Sequence, residues 1–493
     1  MENQNTPPAF PPSQPTFFER LANSVILKLG IILFLVLLLL IPMDSVKDLI
    51  RERKNRDQAV SHEITSKWGN KQVVSGPIIG IPYTYSYNVN TTDEKGEIKV
   101  EKHVEKDYVF LVSKKLNVKS TVEPTYLKRG IYQTVVYNAT VALRGEFDEI
   151  DLAKLDLNPE DLAWEKAKVF IGLSDLKGVK AVPKLNMGQA EAEFEVGNTD
   201  VSLFEQTMVA NVDLSDRSTK NQFEINLDIR GSRNLTVFPT SNETSIIVSG
   251  TWDNPSFNGG FLPEDRTISE TDFEAHWRIP SFSRKFPQQW KGARGSMYYV
   301  THSEITDADY PAVSIPEPKV SSSGANVQMS TEQDMVQINF LESVNNYQKT
   351  TRVAKYGILV VLLTFTSLFF TEVIKKQRVH IVQYVLIGCA MVLFYSLLLA
   401  LSEHIGFNWG YLTAAVATIM LISSFILGIT KDKKIAFVFS GILSAFYIFI
   451  FSLMQLQDYS LIVGTIGVFV ILALLMRLST RVNWYQFERK LDF

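Results

Sequence analysis

Apolar residues are spread very unevenly along this chain, and that limits what it can fold into. One apolar run lies at Val25–Met43, and a mostly polar stretch follows over residues 44–355. Five further runs fill the C-terminal third, at Tyr356–Ile374, Ile381–Leu401, Trp409–Ile429, Ile435–Met454 and Ser460–Leu478. A helix of about 20 apolar residues crosses the roughly 30 Å of bilayer hydrocarbon. The pattern predicts a multi-pass α-helical membrane protein with six transmembrane helices. Helix 1 covers 25–43, and the other five lie within 356–478. A large domain, 44–355, is inserted between helices 1 and 2.

Short loops predict the orientation. Lys375, Lys376 and Arg378 follow helix 2, and Lys431, Lys433 and Lys434 follow helix 4. Arg477, Arg481, Arg489 and Lys490 follow helix 6. The loops Ser402–Phe407 and Gln455–Tyr459 contain no Lys or Arg. Positive residues stay on the cytoplasmic side, so both termini are expected inside and the large domain outside the cytoplasm. Helix 1 alone points the other way, because Lys47, Arg51, Arg53, Lys54 and Arg56 follow it. The C-terminal flanks agree with one another, and long domains translocate largely regardless of charge. The long apolar core of helix 1 precedes no small-x-small cleavage site, so the helix is expected to stay as an anchor.

The single cysteine, Cys389, lies inside helix 3, so the outside domain contains no disulfide. A domain of this size buries enough core without one. A net charge of −3 and the lack of a basic patch exclude a nucleic-acid partner. Pro7, Pro8, Pro11, Pro12 and Pro15 mark residues 1–24 as a disordered cytoplasmic leader. Residues 479–493 form a second cytoplasmic tail.

The domain reads as β-rich. Phe223, Ile225, Leu227 and Ile229 alternate with polar residues, as do Ala190, Ala192, Phe194 and Val196. Met208–Leu214, Phe273–Ile279 and Ile131–Phe147 repeat the pattern, the mark of half-buried strands. Sandwich-like antiparallel sheets are expected. Ser45–Trp68 is expected to continue helix 1, Asn158–Phe170 to hold a short helix, and Pro311–Gly324 to form a linker.

Catalytic signatures are missing: no P-loop, no HExxH, no Cys–His zinc spacing and no GxSxG elbow. The reading is therefore of a non-enzyme with no catalytic, cofactor-binding or metal-binding residues. Polar residues inside apolar segments are costly and mark candidate sites. They form two groups by depth. Glu372, His380, Gln383 and Tyr384 lie toward the cytoplasm; Glu403, His404, Asp458 and Tyr459 lie toward the outer face. Each group is either interfacial structure or a ligand, proton or partner site.

Several motifs carry a family resemblance. They include Ser75-Gly76-Pro77 with Ile81-Pro82-Tyr83, Arg129-Gly130-Ile131-Tyr132, and Phe257 to Pro263 with Arg266, Phe273, Trp277, Arg284, Pro287 and Trp290. Tyr347, Arg352, Lys355, Glu372, His380-x-x-Gln383-Tyr384, Ser402-Glu403-His404, Asp458-Tyr459 and Trp484-Tyr485 follow in order. This set resembles the CreD family of bacterial inner-membrane proteins over about residues 20–485. Asn258-Gly259-Gly260 departs from it, standing where an acidic residue is expected before Phe261. The resemblance implies a cytoplasmic-membrane protein with a periplasmic domain, tied to envelope integrity and stress tolerance. It implies no catalytic residue. Partners are then the lipid bilayer and envelope proteins or wall and lipid components bound by the domain. A transporter or lipid-handling permease with an outer polar vestibule is the alternative, and a wall or lipid hydrolase is a third. Oligomeric state is not readable.

Overall fold

A computed structural model of the chain describes residues 25–92, 98–188, 190–197, 201, 203–216, 221–292, 297, 330–340, 346–375, 379–456 and 459–480. The Pro-rich leader, the 311–324 linker, Asp458 and residues 481–493 lie outside the described residues. The chain divides into two compact units, Met1–Asp57 with Val344–Phe493, and Gln58–Ser343.

The second unit contains two sheets. The eight-stranded sheet runs Asp265–Ile268, Phe273–Pro280, Glu243–Gly250, Lys115–Arg129, Tyr132–Glu146, Gln222–Ser232, Lys184–Met187, Ala190–Glu193. The nine-stranded sheet runs Pro255–Gly259, Val336–Phe340, Asn234–Phe238, Gln72–Thr92, Ala167–Leu173, Gln206–Val212, Glu195–Val196. Ile98–Val112 also pairs with Gln72–Thr92, and Gln289–Lys291 pairs with Ile98–Val112. Val118, Leu143, Ile225 and Trp277 of the first sheet share one buried core with Ile79, Leu111, Ile171 and Ile338 of the second.

Alternation sets the register. Phe223, Ile225, Leu227 and Ile229 are buried while their polar neighbours are not. Burying each such side chain contributes roughly 1.5–3 kcal/mol, so a one-residue slip that turned Glu224, Asn226 and Asp228 inward is strongly opposed.

Three expectations need correction. The sheets are mixed rather than antiparallel: Gln72–Ser75 runs parallel to Leu235–Phe238, and Lys115–Val122 parallel to Glu243–Gly250. Residues 158–170 hold no α-helix; two short 3-10 turns, Pro159–Asp161 and Trp164–Lys166, lead into the strand Ala167–Leu173. That strand is buried on both faces, because Val73, Ile78, Phe110, Phe170 and Phe204 form a second core on the far side of its sheet. A strand buried on both faces has no period-two signal. Finally, Ala190–Val196 is not one strand. Its first four residues pair in the eight-stranded sheet and Glu195–Val196 in the nine-stranded one, with the buried Phe194 at the crossing.

Gln72–Thr92 changes partners at Gly76-Pro77. Before this point it pairs with Asn234–Phe238, and after it with Ile98–Val112. Beyond Gly80 it has left Ala167–Leu173, and Ile98–Val112 meets Gln289–Lys291 only at Val109–Leu111. Residues 84–92 and 98–106 thus form a two-stranded arm with no further strand on either edge among the described residues.

The other unit is helical. Helix α1 (Val25–Trp68), whose residues up to Asp57 belong to this unit, is continuous through 44 residues, about 66 Å at 1.5 Å per residue. It joins the apolar run to the charged stretch after it, as the sequence predicts. Ile32, Leu35, Val36, Leu39, Met43, Val46 and Ile50 form its buried stripe, and its exposed apolar side carries Leu33, Phe34, Leu37 and Ile41. Then come α2 (Asn346–Lys355), α3 (Gly357–Lys375), α4 (Ile381–Ile405), α5 (Phe407–Thr430), α6 (Lys433–Gln455) and α7 (Ser460–Ser479). Leu39 sits against Gly388 and Met43 against Gly357, where small residues admit close approach. Helices α1, α4, α5 and α6 are each long and apolar enough to cross a membrane; α2 and α3, bent by 42°, make a fifth if they count as one span. Apolar α7 packs lightly, with Ile462, Ile466 and Phe469 exposed.

Candidate functional site

Of the residues predicted from depth, His380, Gln383 and Tyr384 lie at the start of α4 with Glu372 bonded to it, and Glu403 and His404 lie at its other end. At its start, the Glu372 carboxylate is buried near the end of α3. It accepts the backbone N–H of Val379 at 3.2 Å and the phenol of Tyr384 at 3.2 Å. It also pairs with the ammonium of Lys28 near the start of α1. Lys28 lies 3.5 Å from the Val379 carbonyl as well. A buried carboxylate is tolerable when its lone pairs are filled and a countercharge is present. Here the donors come from three segments, so the ion pair ties α1, α3 and α4 together.

His380 and Gln383 are not part of that network. They cap α4: the His380 Nδ1 accepts the N–H of Val382 at 3.3 Å, and the Gln383 Oε1 accepts the N–H of His380 at 2.9 Å. This reciprocal arrangement satisfies two otherwise orphaned donors. Sequence reading grouped four residues here; the structure joins Glu372 with Tyr384 and gives the other two a capping role. It adds Lys28, which reads in the sequence only as a flanking charge. A lone lysine four residues into an apolar run is the signal that could have found it.

At the other end of α4, the phenol of Tyr347 donates to the Glu403 carboxylate at 3.1 Å. The Asn346 amide donates to the Ser402 carbonyl at 3.3 Å. Lys349, one turn on, stands over the Phe407 ring at 5.5 Å. His404 is exposed, and Tyr459 is 63% exposed. Neither is hydrogen-bonded to Glu403 among the described residues, and Asp458 lies outside them. This second group is thus a Tyr347–Glu403 pair with His404 beside it in sequence. Depth picks out neither Tyr347 nor Asn346 as a site residue, because α2 precedes the apolar run.

The β arm carries a third constellation. Tyr83, Tyr85, Tyr87 and His103 stack along one face, with ring centroids 5.7, 6.0 and 5.8 Å apart. Glu105 accepts both the Tyr85 phenol at 2.8 Å and the Tyr87 phenol at 2.7 Å. Those hydrogen bonds and the neighbouring charge push Tyr85 up to about 12 and hold Glu105 below the usual carboxylate range. Among the described residues no three His, Cys, Asp or Glu side chains gather as a metal site.

Residues 24–485 match the family described as inner membrane protein CreD. The chain belongs to the CreD family. Inner membrane protein CreD of Escherichia coli strain K12 is 27% identical over 457 residues, covering 92% of each chain. The chain is thus a multi-pass inner-membrane protein of this family. A solved structure of native yeast LTA4 hydrolase aligns over 35% of this chain and 27% of its own, at 8% identity and a TM-score of 0.17, too low to indicate a shared fold.

The CreD motifs now have positions. Trp277 is buried and donates to the Phe261 carbonyl at 3.1 Å; Trp290 stacks on Phe110 at 5.3 Å. Arg284 bonds the Asn242 side chain and lies over Phe286 at 5.4 Å. Gly259 takes φ +89°, and a Cβ on Gly260 would meet the Gln333 carbonyl at 1.6 Å. The soluble-domain signature is largely core and turn. The CreD motifs on the helices, by contrast, supply both members of Glu372–Tyr384 and of Tyr347–Glu403.

Proposed function

We propose that this CreD-family protein supports cell-envelope integrity and stress tolerance as a non-enzymatic binding protein. In this reading six helices cross the membrane, both termini are cytoplasmic, and the β-rich domain is periplasmic. The distribution of Lys and Arg over the C-terminal loops supports that orientation. The domain binds an envelope protein, and the helices anchor it.

The observation that carries the reading is the arm at 84–92 and 98–106, whose two edges lack further strands among the described residues. An unpaired edge offers a row of N–H and C=O groups to an incoming strand. The Tyr85–Glu105–Tyr87 ladder stiffens a ribbon that would be marginal alone.

The test is complementation of a deletion in the native host under detergent and β-lactam stress, at matched membrane levels. Val104→Pro removes an edge donor and is expected to fail like the deletion, whereas Val104→Thr rescues. Rescue by both variants would discard strand addition by this edge. Reporter fusions at the C-terminus and within the domain test the topology; a cytoplasmic signal from the domain would overturn it.

A further inference from the structure

A groove of about 430 Å³ lies between α5 and α6, lined among others by Trp409, Leu412, Val416, Ser444, Ile448 and Phe451. That volume falls within the roughly 300–1,000 Å³ typical of small-molecule sites. Its lining runs from Asn408 to Ile419 on α5, about 17 Å at 1.5 Å per residue. This is close to half of the roughly 30 Å hydrocarbon core, the depth of one leaflet. The groove sits at the end of these helices away from the Lys431 turn, the end that holds Glu403.

Its wall offers little to a polar ligand. The Tyr411 hydroxyl is already given to the Tyr447 carbonyl at 2.7 Å, and the remainder is almost entirely hydrocarbon and ring. Its mouth differs. There Gln455 donates to Asn408 at 3.0 Å, Trp409 is 66% exposed, and Lys349 stands over Phe407, next to Asn408 in the chain. An exposed tryptophan, amides and an ammonium form a cap of the chemistry a phosphate headgroup needs. Apolar length below and positive charge above match one molecule, a glycerophospholipid.

We infer that this groove is a phospholipid site: one acyl chain lies between α5 and α6, and the phosphate meets Lys349 and the Asn408–Gln455 amides. This goes beyond the envelope-protein reading and does not depend on it.

The experiment uses the purified full-length chain in vesicles of equal phosphatidylethanolamine and phosphatidylglycerol. A trace phospholipid bears a photoreactive diazirine in its acyl chain and either headgroup. Adducts are mapped by mass spectrometry. Wild type is expected to concentrate label on 408–419 and 444–451. Ser444→Trp, which fills the groove, is expected to lower that label about tenfold; Phe437→Trp, on an exposed face away from it, leaves the label unchanged. Lys349→Gln lowers labelling by the anionic lipid about fivefold relative to the zwitterionic one. If Ser444→Trp fails to fold, Val416→Trp and Ile448→Trp at outward-facing positions take its place. Label spread over α1 and α7 in proportion to exposure, unchanged by groove-filling variants, would mean ordinary surrounding lipid and overturn the site. Groove label that disappears as the protein-to-lipid ratio rises would mean that a second copy covers the groove, and would overturn the site too.

Discussion

The phenol of Tyr347 donates across 3.1 Å to the Glu403 carboxylate, joining residues 56 positions apart. A hydrogen bond to a charged group contributes about 1.5–3 kcal/mol, and the half-buried Glu403 places this one toward the lower end. Tyr347→Phe and Glu403→Gln are each expected to lower the unfolding free energy of the purified chain by about 1–2 kcal/mol. The double variant should lose little more than either single one. Additive losses in denaturant titrations would show that the pair is not coupled.

The Lys28–Glu372 pair predicts an asymmetry. Lys28→Met leaves the Glu372 carboxylate with two neutral donors in a buried place, at a cost on the order of 3 kcal/mol. Adding Glu372→Gln removes the unpaired charge and should restore much of the loss. Unfolding of the three variants in mild detergent measures this. A double variant weaker than Lys28→Met would contradict the assigned countercharge.

Glu63 makes the β unit's stability respond to acid. Arg129 and Lys67 hold its carboxyl at about 2, against an ordinary 4.5. A carboxylate with a depressed folded-state pKa contributes stability that is fully present above its unfolded value. That contribution fades as pH falls from 4.5 toward 2. Wild type and Glu63→Gln should therefore differ in Tm by a constant amount above pH 5. The difference should shrink steadily below that. The gap is small, because the site is exposed. A gap that widens on acidification would rule out the pairing.

On the arm, Glu105→Ala removes the hydrogen-bond acceptor that, with its charge, raises Tyr85. Its phenol should return from about 12 toward 10.0. The difference between wild-type and variant ultraviolet titrations reads this directly, and identical curves would show the ladder to be unformed in solution.

Much of this architecture was legible in the chain. The apolar runs give the helices of the bundle, and strands with one buried face, such as Gln222–Ser232, show clean alternation. Strands buried on both faces do not, which is why the start of Ala167–Leu173 falls inside the 158–170 stretch expected to hold a helix. Parallel pairings such as Gln72–Ser75 with Leu235–Phe238 depend on contacts far apart in sequence, which local pattern does not encode. At the candidate sites, residue depth singled out Glu372, Tyr384 and Glu403, each of which is hydrogen-bonded in the structure. It could not separate His380 and Gln383, whose role is capping, or find Lys28 and Tyr347, because both partners arrive from distant helices.

The strand Val336–Phe340 lies between Asn234–Phe238 and Pro255–Gly259, yet among the described residues it is the last strand of the domain in chain order. During synthesis the nine-stranded sheet stays open at that position until residue 340 has been made, just before α2 and the later helices emerge. Completion of the domain and insertion of the bundle are therefore adjacent events in the protein's biogenesis, and a ribosome stalled before Val336 would hold a sheet with a missing member.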